Sequence, residues 1–296
     1  MAGYYEGLFI LVGINIIAVI GVSILTGFTR LFSFGNAGFM AIGAYTGAII
    51  STKVHAPLVV SIIGGMIIAG FIAFLLGKIT LGLKGDYFLI ATLGFGESVR
   101  VIIENLQKIT GGARGYTGIP MKTDLLVVLI SVVIAIFIAW NLLHSKIGRN
   151  FQAIREQEVA ADAIGIDTAK YKNIAFIISA MYAAWAGVLW AHFYSLIVPS
   201  MFNLGKSSEL TITVVIGGLG SLTGSIIATT ILTLLPELAR AAAEYRMLAY
   251  GVAVVLIITL RPSGLMGYRE FSLKGTIAWV KALFSKKTSK IRKEDA

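Results

Sequence analysis

Three ionisable residues, Glu97, Arg100 and Glu104, stand within a largely apolar stretch from Tyr87 to Leu106. Their spacings of three and four place them on one helical face, where Arg100 can pair with either carboxylate. A charge at the centre of a bilayer costs about 3 kcal/mol even on insertion scales, so such residues persist where they serve a pathway or a structural pair. Glu97 is therefore a candidate for a solute pathway. The competing role is an ion pair that locks two helices together.

A second chemistry-bearing stretch lies between His144 and Lys172, where Lys146, Arg149, Arg155, Glu158, Asp162, Lys170 and Lys172 make the chain too charged to cross lipid. Phe151, Ile154, Val159, Ala163 and Ile166 recur at roughly helical spacing, which predicts a short helix, or two, lying flat beneath the membrane. Ala160 and Ala161 permit close approach to another surface, Glu158 and Asp162 share a face, and Gly165 ends the helix.

Two glycine clusters interrupt apolar runs. Ser33-Phe34-Gly35-Asn36-Ala37-Gly38 lies in the first half and Gly217-Gly218-Leu219-Gly220-Ser221-Leu222-Thr223-Gly224 in the second. Gly35 and Gly38 match the spacing of Gly217 and Gly220, and interrupted hydrophobic segments at corresponding positions of two halves point to a transport pathway. Gly35, Asn36, Gly38, Gly217, Gly218 and Gly220 are thus pathway candidates beside Glu97. The alternative is ordinary close helix packing, since Gly43 with Gly47 and Gly220 with Gly224 are GxxxG pairs.

Enzymatic signatures are absent. The sequence has no HExxH, GxSxG or GxxxxGK[ST], its three histidines lie far apart, and it has no cysteine, which excludes thiol nucleophiles, disulfides and zinc-thiolate sites. Neither a catalytic residue nor a metal site is expected. Without a phosphate-binding loop the chain cannot bind ATP in the P-loop manner, so ATP-driven work requires a partner.

The elements that carry these residues follow from composition. Of 296 residues 57% are hydrophobic and only 14% charged, against about 25% charged in an average soluble domain, so a soluble globular fold is excluded. Stretches free of Asp, Glu, Lys and Arg cover Gly7 to Thr29, Leu31 to Thr52, Val54 to Gly77, Leu125 to Ser145, Asn173 to Gly205, Leu210 to Pro236 and Met247 to Leu260. A helix needs about 20 apolar residues to cross the hydrocarbon, and these runs do not alternate as barrel strands do. The fold class is an all-α polytopic membrane protein with about eight to ten transmembrane helices, broken or re-entrant segments among them. Met1 to Glu6 carries no Lys or Arg, so the first run reads as a retained span rather than a cleavable signal.

Orientation follows from Lys and Arg. The stretch 144–172 and the tail from Arg261 hold the densest positive charge and should face the cytoplasm, which puts Arg30, Lys78 and Lys84 inside as well. The loop from Gln107 to Thr123 falls outside although it holds Lys108, Arg114 and Lys122. Parity then requires Leu210 to Pro236 to act as two short or re-entrant segments, broken at Gly217–Gly224. The membrane unit occupies 1–268, with a cytoplasmic segment at about 146–168 that the resemblance below makes the coupling segment of a permease, and 269–296 form a basic cytoplasmic tail. Ile277, Trp279, Val280 and Phe284 suggest an interfacial turn there, for anionic-lipid contact or disorder. The net charge of +10 is explained by the positive-inside rule without nucleic acid.

Several separated runs together resemble one family. Ser33 to Tyr45, Lys84 to Glu97, Thr110 to Pro120, Ile147 to Gly165, Gly217 to Gly224 and Arg261 to Gly267 are similar, in order, to motifs of the M-type permeases of branched-chain amino-acid ABC importers. Asn36 departs from the family, which frequently has His there, and Ala113-Arg114 makes the outer loop more basic than usual. The resemblance implies that Arg155, Glu158, Ala160, Ala161 and Gly165 belong to the segment that docks the ATPase. It implies as partners a second, related permease, two cytoplasmic ATPases that bind ATP and Mg, and an extracytoplasmic solute-binding protein, all at the cytoplasmic (inner) membrane. No cofactor is then bound by this chain, and it is a transport subunit rather than an enzyme. Urea or short amides on the same scaffold are the alternative cargo, and an ion-coupled secondary carrier using Glu97 or Glu104 is the alternative mechanism.

Overall fold

The computed structural model describes residues 2–82, 86–238, 251, 255, 259 and 264–267. Helices α1 (Ala2–Val22), α2 (Asn36–Lys53), α3 (Leu58–Thr80) and α4 (Asp86–Asn105) are followed by the single turn α5 (Gln107–Thr110). Next come α6 (Leu125–His144), the short α7 (Lys146–Glu156) and α8 (Glu158–Ala163), the long α9 (Thr168–Tyr194), and a short pair, α10 (Leu204–Gly217) and α11 (Leu222–Leu238). The all-helical membrane architecture is as the sequence implies: among the described residues four helices, α1, α3, α6 and α9, are long and apolar enough to cross a bilayer. Apart from Gly251, Val255 and Thr259, the expected span Met247–Leu260 lies outside the described residues, as do the tail 269–296 and Lys84.

Helix α1 is the axis of the bundle. It continues past Val22 as a π-helical turn, Ser23–Gly27, and is buried on every face from Val12 to Phe28, packed against α6, α9, α10 and α11. Helix α9 is the second axis, and its small residues set its closest crossing. A Cβ on Gly43 would lie 2.3 Å from the Ala184 carbonyl oxygen and one on Gly187 2.0 Å from that of Met40, so α2 and α9 touch backbone to backbone. At Gly43 the plain packing reading of its GxxxG pair holds. Helices α3 and α6 flank this core, each burying one stripe of mostly small residues, Ser61, Gly65, Ala69 and Ala73 on α3 and Ser131, Ala135 and Ala139 on α6. Their other faces are apolar and exposed, as lipid requires.

The two ends of the bundle agree with the expected threading. At one end Arg30, Leu81, Gly82, Asp86, Glu158 and Lys172 border a common cavity, so the α1–α2 and α3–α4 connections share the side of α7 and α8. At the other, β1 (Tyr116–Thr117) pairs antiparallel with β2 (Leu196–Ile197). The basic outer loop is explained there: Lys122 Nζ donates to the Ala56 carbonyl at 2.9 Å and to Ser51 Oγ at 3.2 Å, so its charge clamps the loop to the end of α2. Helix α11 runs back along α1, Ser225 meeting Ser23 and Thr233 meeting Asn15, as an even number of segments demands.

Candidate functional site

The first glycine cluster forms an irregular break between α1 and α2. Its backbone groups are satisfied by hydroxyls from other helices, which is what non-helical chain at membrane depth requires. The Phe34 amide donates to Thr92 Oγ1 of α4 (3.2 Å), the Gly35 amide to Ser33 Oγ (3.2 Å) and the Ala37 amide to Ser207 Oγ of α10 (2.9 Å). The Ser33 carbonyl accepts from Asn36 Nδ2 (2.9 Å) and Thr211 Oγ1 (3.4 Å). Three helices, α2, α4 and α10, therefore converge on one short piece of chain. Asn36 is buried, and its side chain holds the break together rather than facing open space.

Close approach is part of this convergence. A Cβ on Gly38 would stand 2.9 Å from Gly96 Cα and one on Gly35 3.0 Å from the Thr92 carbonyl oxygen. Beside them a narrow crevice is lined by Phe34, Gly38, Leu93, Glu97, Asn203 and Ser207. The structure thus brings Gly35, Asn36, Gly38 and Glu97 to one locus. Gly217, Gly218 and Gly220 lie at the far end of α10, about 9 Å along that helix from Thr211, which bonds the first break.

At that far end the chain reverses with Gly218 at φ +114° and Gly220 at φ +94°, a region that L side chains rarely adopt. The C-terminal end of α10 is satisfied by backbone: the Leu265 amide donates to Ile216 O (2.8 Å) and the Met266 amide to Gly217 O (3.2 Å).

The α4 charges form an intrahelical ladder. Arg100 Nε bonds Glu97 Oε2 at 2.8 Å and Nη1 bonds Glu104 Oε1 at 2.7 Å. Within this chain the pair stays on one helix instead of joining two, because spacings of three and four let one guanidinium reach one oxygen of each carboxylate on α4.

Sequence reasoning missed a second polar group at membrane depth. Lys206, on the first turn of α10, donates to Asn15 Oδ1 (3.1 Å) halfway along α1, lies 3.2 Å from Glu209 Oε2, and sits over the Trp190 ring at 5.2 Å. Asn15 Nδ2 in turn donates to Thr233 Oγ1 (3.4 Å). Lys206 and Glu209 fell between two uncharged runs and passed for a boundary, although an i,i+3 pair flanked by apolar sequence without a turn residue after it is itself the signal.

The segment expected to couple forms two helices. Ser145 caps α7 by accepting from the Ile147 and Gly148 amides, and Phe151 and Ile154 are buried. Arg155 lies over the Phe28 ring at 5.9 Å, at the end of α1, and is bonded to Glu156. On α8, Ala161 is buried, Ala160 is exposed, and Glu158 pairs with Lys172 of α9 at 2.5 Å. Gly165 ends the helix at φ +85°, its amide bonding Asp162 O and that of Ile166 bonding Ala161 O. Val159 and Ile164 are 77% exposed beyond the extended Gln157, whereas Phe151 and Ile154 of α7 are buried.

Residues 4–260 match the family model described as branched-chain amino acid transport system / permease component. The chain is 34% identical over 295 residues to the high-affinity branched-chain amino acid transport system permease protein LivM of Escherichia coli, with 88% of this chain and 69% of that protein covered. It is 33% identical, with the same coverage, to LivM of Salmonella typhimurium. LivH of the same Salmonella strain is 27% identical over 168 residues, which cover 56% of this chain and 54% of LivH. No solved structure matches it. The broken helices, the intramembrane charges and the short helices at one end sit within a match that spans most of the sequence, and this multi-pass membrane chain belongs to the family of branched-chain amino acid transport system permease components.

Proposed function

We propose that this chain is the permease subunit through which an ATP-driven importer moves branched-chain, hydrophobic amino acids across the cytoplasmic membrane. The cargo follows from the family and from the LivM relatives. The power source follows from α8. An amphipathic helix of six residues at the end of the bundle, tied to α9 by Glu158–Lys172 and displaying Val159 and Ile164, has the shape and chemistry to seat in a partner ATPase.

In this reading ATP and Mg bind on two partner ATPases, a second related permease completes the pathway, and an extracytoplasmic binding protein delivers solute. The permease needs little affinity of its own, since tight binding in the path slows release. Closure of the ATPases displaces α8. The displacement passes through Lys172 into α9 and across the shared cavity to Leu31 and Phe32, directly before the first break. Glu97 and Glu104, the groups that an ion-coupled carrier would titrate, are both held by Arg100.

The observation that carries the coupling role is the outward display of Val159 and Ile164 on α8. Its test is Gly165→Val. Gly165 has open space around it, so the change acts through its positive φ alone and reorients α8 without disturbing the bundle. The assembled complex should hydrolyse ATP while uptake falls. Wild-type coupling in that variant would overturn the docking role.

A further inference from the structure

Among the described residues, α3, α4 and α6 carry exposed faces of comparable length. Between Val59 and Leu75 the face of α3, and between Leu126 and Trp140 that of α6, expose only apolar residues, among them Ile63, Ile67 and Phe71 on one and Leu129, Val133 and Phe137 on the other. The face of α4 is different. Gly94, Glu97, Ser98, Val101, Glu104 and Asn105 lie within one sector, and the residues opposite, Phe88, Thr92, Gly96 and Ile103, are the buried ones.

The ladder charges remain open to about the same degree, with side-chain exposures of 35% for Glu97, 29% for Arg100 and 31% for Glu104. Glu97 is near the middle of α4, and Gly96 beside it touches the break at Phe34 and Gly35, so Glu97 lies at membrane depth, with Glu104 about 10 Å further along the helix. Two carboxylates against one guanidinium leave an excess negative charge. Lipid cannot cover such a face, because each intramembrane charge is tolerated only against protein or water. On the apolar faces of α3 and α6 lipid suffices.

Resting on the permease-pair reading, we propose that the exposed face of α4 is the surface on which the second permease subunit docks. The occupant is a related chain whose facing helix brings a cation, or several hydroxyl or amide donors, to the Glu97–Arg100–Glu104 ladder. Charge complementarity selects it: the excess carboxylate needs a donor at mid-bilayer depth, and a transmembrane helix of a partner is the element that can hold one there. The crevice between Glu97 and Asn203 opens beside this face, so docking there encloses it between the two subunits.

The chain has no cysteine, so a single one can be labelled uniquely. S98C and V101C on α4, with F71C on α3 and F137C on α6, would each carry a benzophenone maleimide in the full complex with a tagged second permease and the ATPases. Ser98 bonds only Gly94 O of its own helix, so S98C disturbs little, and V101C is the second reporter. Irradiation should give the cross-linked permease pair from S98C and V101C and none above background from F71C and F137C. Cross-linking to the second permease from F71C or F137C alone, or from no position while the pair co-purifies, would overturn the α4 seam and leave the pair standing. Failure of the unlabelled chain to co-purify with a second permease would instead sink the pair reading, and the seam with it.

Discussion

The two glycine clusters, so alike in spacing, solve different problems. At Ser33–Gly38 both glycines have helical or near-helical backbone, Gly35 at φ −81°, and the missing Cβ atoms make room for α4. At Gly217–Gly224 the backbone itself requires glycine, since Gly218 and Gly220 have positive φ, and Gly217 packs on Gly224 and Ser225 within one hairpin. The first break is held by hydroxyls of other helices and the second by backbone of residues 265 and 266. A break held by side chains from α4 and α10 moves when those helices move. A break closed by backbone hydrogen bonds from residues 265 and 266 is a stiffer corner.

The largest effect separates them directly. Gly218→Val places a β-branched side chain at φ +114° with its Cβ 2.7 Å from Gly267 O, both strained and blocked, at a cost on the order of 3 kcal/mol or more. The assembled protein should accumulate poorly and melt far below wild type. Gly38→Ala keeps a favourable helical conformation, but its Cβ, 2.9 Å from the backbone Cα of Gly96, must push α2 away from α4. Thermal stability should fall less than in Gly218→Val, and uptake should drop. Equal losses of stability in the two variants would erase the distinction between corner and joint.

A middling effect tests how the first break is held. Ser207→Ala leaves the buried Ala37 amide without its acceptor, at a cost of about 1–3 kcal/mol. Ser207→Thr retains the hydroxyl and should recover most of the loss. The readout is the thermal midpoint of the purified complex alongside uptake. If Ser207→Ala melts as wild type does, the hydroxyl does not support the break.

Much of this was legible in the sequence, and what was not has a physical reason. Continuous apolar runs fixed the spans, and the parity of crossings correctly demanded that Leu210–Pro236 divide at its glycines, as α10 and α11 do. Gly165 was readable as a stop because few residues but glycine take φ +85° at a helix end. The different work of the two clusters was hidden, because spacing records that glycine is needed and not whether φ or a neighbour needs it. Lys206 was hidden for another reason. Its partners Asn15, Trp190 and Glu209 come from three helices, and only the packing of α1, α9 and α10 assembles them.

The smallest effect decides which break answers to the ATPase side. Glu158 and Lys172 join α8 to α9 at the edge of a cavity that Arg30, Leu31 and Phe32 also border, directly before the first break, whereas Gly218 packs on residues 264 and 267. Glu158 is half exposed, so the pair contributes about 0–1 kcal/mol to stability, and Lys172→Gln should leave the melting temperature almost unmoved. Uptake per ATP hydrolysed should nevertheless drop, because α8 loses its tie to the long helix that crosses α2. Combining Lys172→Gln with Gly38→Ala should then give little further loss, as both weaken one joint, while combining it with a mild change at the corner should add independently. Full additivity with Gly38→Ala would mean that motion of α8 reaches the pathway by another route.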